Sequence, residues 1–283
     1  MLKFLQIFVI CSCCFFAFTV DAKLKVMASI YPMAEFCRNV GGDFVEVYQM
    51  IPDGTEPHDF EPSPKDLARL GEVQLLIYNG GVEAWAEQTL NALKKEKIIG
   101  VETGHNLTNI NGKNDPHVWV SPKGAILEVE KICEAFCNFD KENATQYKTN
   151  TKNYVAKLKE LDDEFTTLQK KFNRKTFITS HNAFAHLAKD YNLTMVAVAG
   201  LSPDAEPTPK DLYQVMQKAK EHHVRYIFFE TLTSPKLAEL VAQETGCQTA
   251  VLDPLEGITP GSKKTYLEIQ KENLQALMKE FAQ

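Results

Sequence analysis

Short apolar and β-branched runs alternate along the chain with longer stretches whose apolar residues recur every three or four positions. The short runs predict strands over residues 24–29, 45–51, 75–78 and 98–101. A second set follows over 176–179, 195–198, 226–229 and 249–252. The longer stretches predict helices over 31–40, 64–70, 85–94, 123–137, 183–191, 209–221, 235–243 and 264–281. Strand and helix in alternation is the mark of βαβ units with parallel sheets. One stretch stands apart. Tyr147, Tyr154, Leu158, Leu161, Phe165, Leu168 and Phe172 share one face of a single long helix without an internal Pro or Gly. Over residues 147–172 it would run about 39 Å at about 1.5 Å per residue.

The expected architecture is therefore α/β, with two lobes that each hold a small, mainly parallel four-stranded sheet. One long α-helix joins them. The division is an N-terminal lobe over 23–142, a linking helix over 143–173 and a C-terminal lobe over 174–283. The first 22 residues read differently. Lys3 is followed by an apolar run from Phe4 to Val20, and Val20-Asp21-Ala22 ends in a small residue. That order is the order of a secretory signal cleaved before Lys23, with export to the periplasm. Cys11, Cys13 and Cys14 offer a lipid-anchored variant in a poor lipidation context.

Composition changes the picture little but excludes some partners. The formal net charge is -6, with no basic run, so nucleic acid and anionic membrane are poor partners. Beyond the leader nothing is apolar enough to span a bilayer, and a soluble monomer is expected. Cys37, Cys133, Cys137 and Cys247 form no CxxC pair or cluster. They read as buried small side chains or as a disulfide whose pairing stays open.

The candidate chemistry lies in three histidines and an aspartate. His58 sits in Glu56-Pro57-His58-Asp59-Phe60-Glu61-Pro62-Ser63-Pro64, where the prolines fix φ and stiffen the loop. His117 sits in Asp115-Pro116-His117-Val118-Trp119. His181 and Asp253 each follow an apolar run that reads as a strand. Ligands in open α/β sheets bind beyond the carboxyl ends of strands, so a single ion held by all four would bridge the lobes. Three imidazoles and one carboxylate suit tetrahedral zinc, whereas calcium and magnesium prefer all-oxygen shells. Copper and nickel also accept imidazole. Glu56, Asp59, Glu61, Glu230 and Glu256 are nearby acids suited to support the imidazoles.

The His58 and His117 segments, with Ser180-His181-Asn182-Ala183-Phe184 and Leu252-Asp253-Pro254-Leu255, closely resemble the ligand motifs of the cluster A-I, ZnuA-like solute-binding proteins of zinc and manganese ABC importers. The resemblance runs in order over the whole chain after the leader. It implies two lobes, one interlobe metal site built from His58, His117, His181 and Asp253, and delivery of Zn2+ to a membrane permease without any enzymatic step. Asp253 carries over less firmly than the histidines, since some zinc members use water or a neighbouring acid there. Manganese members carry Glu at the third position, where this chain has His181. A histidine-rich collecting loop is absent, because only 13 residues separate Val101 from Asp115. Capture needs deprotonated imidazoles, so affinity is expected to fall below about pH 6.5. The alternatives are a manganese or iron receptor, a metal-binding surface adhesin, or a zinc hydrolase. The hydrolase would use three histidines with Glu56 or Glu230 as base, and no HExxH helix supports it.

Overall fold

The computed structural model describes residues 23–94, 97–110, 112–203 and 206–282. The expected signal segment over residues 1–22 lies outside them. Among the described residues no helix is long and apolar enough to cross a membrane.

Two parallel sheets form the frame. The first takes β1 (Leu24–Ala28), β2 (Val45–Gln49), β3 (Leu75–Tyr78) and β4 (Ile99–Glu102) in the order β2-β1-β3-β4. A two-stranded antiparallel ribbon, β5 (Asn109–Ile110) and β6 (Lys113–Asn114), follows it. The second sheet takes β7 (Thr176–Thr179), β8 (Thr194–Ala197), β9 (Tyr226–Phe229) and β10 (Gln248–Val251) in the order β10-β9-β7-β8. Every pairing within the two four-stranded sheets is parallel. Such strands need crossover connections, which the helices supply. The first sheet carries α1 (Tyr31–Gly41), α2 (Pro64–Leu70), α3 (Ala86–Ala92) and α4 (Pro122–Phe139). The second carries α6 (Ala185–Asp190), α7 (Pro209–Glu221), α8 (Lys236–Thr245) and the C-terminal α9 (Tyr266–Phe281). Between them runs α5, Ala144–Lys171.

Read from its other edge, the second sheet has the same connection order as the first: second strand, first, third, fourth. A heptapeptide repeats at the matching place. Glu61-Pro62-Ser63-Pro64-Lys65-Asp66-Leu67 opens α2 and Glu206-Pro207-Thr208-Pro209-Lys210-Asp211-Leu212 opens α7. In both, Ser63 or Thr208 is the N-cap. Its oxygen accepts from the N3 backbone, while Asp66 or Asp211 accepts in return from the N-cap backbone. Proline at the first helical position adds no unmet donor. The two lobes thus repeat one plan, a relation that short-period pattern reading does not reveal.

Helix α5 buries Tyr147, Tyr154, Leu158, Leu161, Phe165 and Leu168 along one stripe. That stripe packs against α1 and α4 of the first lobe and α9 of the second. One connected core of buried residues therefore runs from Leu24 to Phe281, and a smaller one fills the space under α7 and α8. Polar locks reinforce the seam. The Tyr266 hydroxyl donates to the Trp119 carbonyl at 2.6 Å, and the Trp119 indole donates to the Pro254 carbonyl at 2.8 Å. Tyr31 reaches the Lys264 carbonyl at 2.8 Å, and Gln270 reaches that of Val120 at 2.9 Å.

Candidate metal site

Each ligand candidate stands in a short, stiffened segment. His58 is the middle residue of a 3-10 turn, Pro57–Asp59, and the Glu56 side chain caps that turn by accepting from the His58 N–H at 3.2 Å. His117 precedes a second 3-10 turn, Val118–Val120, which leads through Ser121 into α4. The turn and α4 lie so close that a Cβ on Gly124 would fall 2.1 Å from the Val118 carbonyl oxygen. Glycine is the residue that lets this approach happen. His181 stands two residues beyond β7, and Glu230 directly after β9.

The same device orients two of the rings. Asp115 accepts from the His117 backbone N–H at 3.0 Å and faces its Nδ1 at 2.8 Å. Glu230 accepts from the His181 backbone N–H at 3.1 Å and faces its Nδ1 at 2.6 Å. A carboxylate that grips both nitrogens leaves the ring one orientation. With the Nδ1 proton donated to it, the Nε2 lone pair is free to face outward.

Those Nε2 atoms converge. Glu256 Oε1 lies 3.3 Å from that of His58, 3.0 Å from that of His117 and 3.2 Å from that of His181. His58 and His117 bring theirs to 3.3 Å of each other. Among the described residues these four side chains are the one group whose donor atoms all lie within 4.8 Å. A regular tetrahedron with edges of 3.3 Å has its centre about 2.0 Å from each corner, the ordinary zinc–nitrogen distance of about 2.0–2.1 Å. His117 and His181 are fully buried, Glu256 is 3% exposed and His58 11%.

Charge follows the geometry. Burial pushes the Glu256 carboxyl up, but the surrounding histidines, His181 foremost, outweigh it and hold it well below the usual range. Burial likewise opposes a charge on His181, yet Glu256 and Glu230 raise its pKa to about 10. His117 is also raised, by Asp115 and Glu256 against its burial. Glu56 is pushed up to about 7, by burial first and by Glu256 second.

The structure thus brings His58, His117 and His181 together and leaves Asp253, the expected fourth ligand, outside the group. Its two oxygens are committed elsewhere. Oδ1 accepts from the Leu255 N–H at 2.8 Å and Oδ2 from the Thr231 hydroxyl at 2.8 Å. The chain between the two acids turns at Leu255, whose φ is +57°. That left-handed residue is fully buried and swings Glu256 inward. The available signal was turn chemistry: an Asp followed by Pro tends to bond its own backbone two residues on. His186 also lies outside the group and meets the Asp115 carbonyl at 2.9 Å. Cys37, Cys133, Cys137 and Cys247 are free thiols, with the sulfurs of Cys133 and Cys137 3.9 Å apart.

Comparison with known proteins agrees in fold and sequence. The family model described as zinc-uptake complex component A, periplasmic, matches residues 26–280. The high-affinity zinc uptake system protein ZnuA of Bacillus subtilis is 37% identical over 276 residues, covering 90% of this chain and 86% of that one. The zinc-binding protein AdcA of Streptococcus pyogenes is 34% identical over 287 residues. There the match covers 91% of this chain but 56% of the relative, so the chain spans little more than half of it. The Zn(II)-bound ZnuA-like domain of Streptococcus pneumoniae AdcA superposes with a TM-score of 0.82 at 36% identity, over 93% of this chain and 100% of that one. With two parallel lobes, a conjoining helix and a match over nearly its whole described length, this chain belongs to the ZnuA family of zinc-uptake components.

Proposed function

We propose that the chain is an exported receptor that binds one Zn2+ through the Nε2 atoms of His58, His117 and His181 and Oε1 of Glu256, and passes it to the permease of an ABC importer. The observation that carries this reading is the convergence of one donor atom from each of His58, His117, His181 and Glu256 to within 4.8 Å of one another, with Glu256 3.0–3.3 Å from all three histidines. Asp253 holds the loop that presents Glu256. The lobes are residues 23–142 and 174–283, joined by the helix over 143–173, and the ion lies between them. The names of the relatives, a zinc uptake protein and a zinc-binding protein, support the choice of ion. So does the donor set, since a six-coordinate oxygen-loving ion finds only one carboxylate here. A catalytic zinc keeps an open position for water. Four donors close this tetrahedron, which favours carriage over hydrolysis. Secretion to the periplasm and a monomeric state belong to the same reading.

The test is a calorimetric titration of the chelator-stripped chain with zinc and with manganese. One-to-one zinc binding with a submicromolar Kd and much weaker manganese is expected. Tighter manganese, or binding of neither ion, overturns the assignment.

A further inference from the structure

Three of the four donor side chains are sealed: His117, His181 and Glu256 expose 0%, 0% and 3% of their surface. His58, at 11%, is the one that meets solvent, so an ion must pass on its side. A cavity of about 670 Å³ reaches the chain neighbours of the cluster and is lined among others by Glu56, Ser180, Leu232 and Thr233. Three wall residues are tied to the cluster. Glu56 is two residues before His58, Ser180 is next to His181, and Leu232 is so near Gly257 that a Cβ there would be 2.8 Å from its Cδ1. The wall's charged side chains, Glu56, Glu206 and Lys236, leave it net negative, a field that favours a cation.

Two polar atoms in that wall have no partner. Glu56 spends Oε1 on the His58 N–H, while its Oε2 is shut off from water and accepts no hydrogen bond; the buried Thr233 hydroxyl is in the same position. A desolvated carboxylate oxygen without a donor is costly, and an unmet buried group calls for an ion or water that visits it. Glu56 is not a member of the converging group. Its free oxygen stands beside the cluster rather than inside it.

We propose that this cavity is the passage by which the ion enters and leaves, and that Glu56 is a transit ligand: it meets the ion at the inner end of the passage, hands it to His58 and receives it back on release. The proposal rests on the zinc-site reading above. A transit ligand stabilises the barrier between free and bound states and not the bound state itself, so its removal slows both directions together and leaves the Kd nearly unchanged.

The experiment is stopped-flow mixing of the purified chain with zinc and a fluorescent zinc chelator, in both directions. Glu56→Gln, whose amide oxygen can still accept from the His58 N–H, is expected to slow uptake and release tenfold or more, each by more than the Kd changes. Leu232→Trp, which narrows the cavity without touching charge, is expected to slow both as well. Rates equal to the parent in both variants overturn the proposal. So does a Glu56→Gln protein whose Kd rises tenfold through faster release, because Glu56 would then be an equilibrium ligand. A parent that binds no zinc sinks the site reading instead, a result distinct from either.

Discussion

The two acids of the Asp253-Pro254-Leu255-Glu256 loop can be told apart by substituting each. With three neutral imidazoles and one carboxylate, a divalent ion leaves the site at net charge +1. Glu256→Ala leaves it at +2 in a cluster whose members are 0–11% exposed. An uncompensated charge in a buried site costs about 3–5 kcal/mol. At about 1.4 kcal/mol per tenfold, that is a loss of roughly 10²–10⁴ in affinity. Asp253→Asn is nearly silent by the same geometry. The amide oxygen still accepts from the Leu255 N–H, and its NH2 faces the Thr231 hydroxyl, which can accept. A loss below about tenfold is expected, less than the roughly 10–100-fold typical when a group supporting a ligand is removed outright. Competition against a chromophoric zinc chelator at pH 7.5 measures both. If Asp253→Asn loses as much as Glu256→Ala, or if Glu256→Ala stays within threefold of the parent, the ligand assignment fails.

Three further outcomes test the frame. Glu128 is fully buried, and burial first and Glu83 second push its carboxyl up to about 8. A raised folded pKa means that the stability tied to the neutral acid is complete below about pH 4.5 and is lost as pH rises through 8, by roughly 5 kcal/mol at most. Glu128→Gln should therefore gain on the parent from about pH 5 up to about pH 8 and level off above it in urea unfolding, and a gap that does not change with pH refutes this. Gly124→Ala should cost about 1–3 kcal/mol by overpacking against the Val118 carbonyl. It should also weaken zinc binding by moving the His117 turn, and an unperturbed melting temperature would contradict it. Trp119→Phe leaves the Pro254 carbonyl without its donor. It should cost about 1–3 kcal/mol, measured by denaturant unfolding of the metal-free chain, and no change in midpoint would show the contact to be dispensable.

Much of this molecule was legible in its sequence, because the strong signals are local. The eight strands of the two parallel sheets read as short apolar and β-branched runs, and the stripe from Tyr147 to Leu168 reads as one helix. His58 and His117 stood out since a preceding proline stiffens each segment, and His181 because it follows a clear strand. Glu256 read only as a supporting acid, and for a physical reason. Its inward direction depends on a left-handed backbone at Leu255, where nothing in a leucine announces positive φ. The two 3-10 turns beside His58 and His117 are likewise too short to leave a period. The ties of Asp115 to His117 and Glu230 to His181 differ in the same way. The first spans two residues and can be guessed, whereas the second spans 49 and exists only once β7 and β9 are paired.

The unbroken core from Leu24 to Phe281 has a consequence for the lifetime of the protein. With α5 packed on α1 and α4 of one lobe and on α9 of the other, melting either lobe would expose part of this shared core. Whatever binds at the junction acts on the whole chain as one cooperative unit. At a free zinc level a thousand times the Kd, the folded state would gain about 4 kcal/mol. Proteolysis that works on transiently open molecules would fall by about three orders of magnitude. A loaded receptor would outlive an empty one, so the supply of the ion would also set how many receptors remain to collect it.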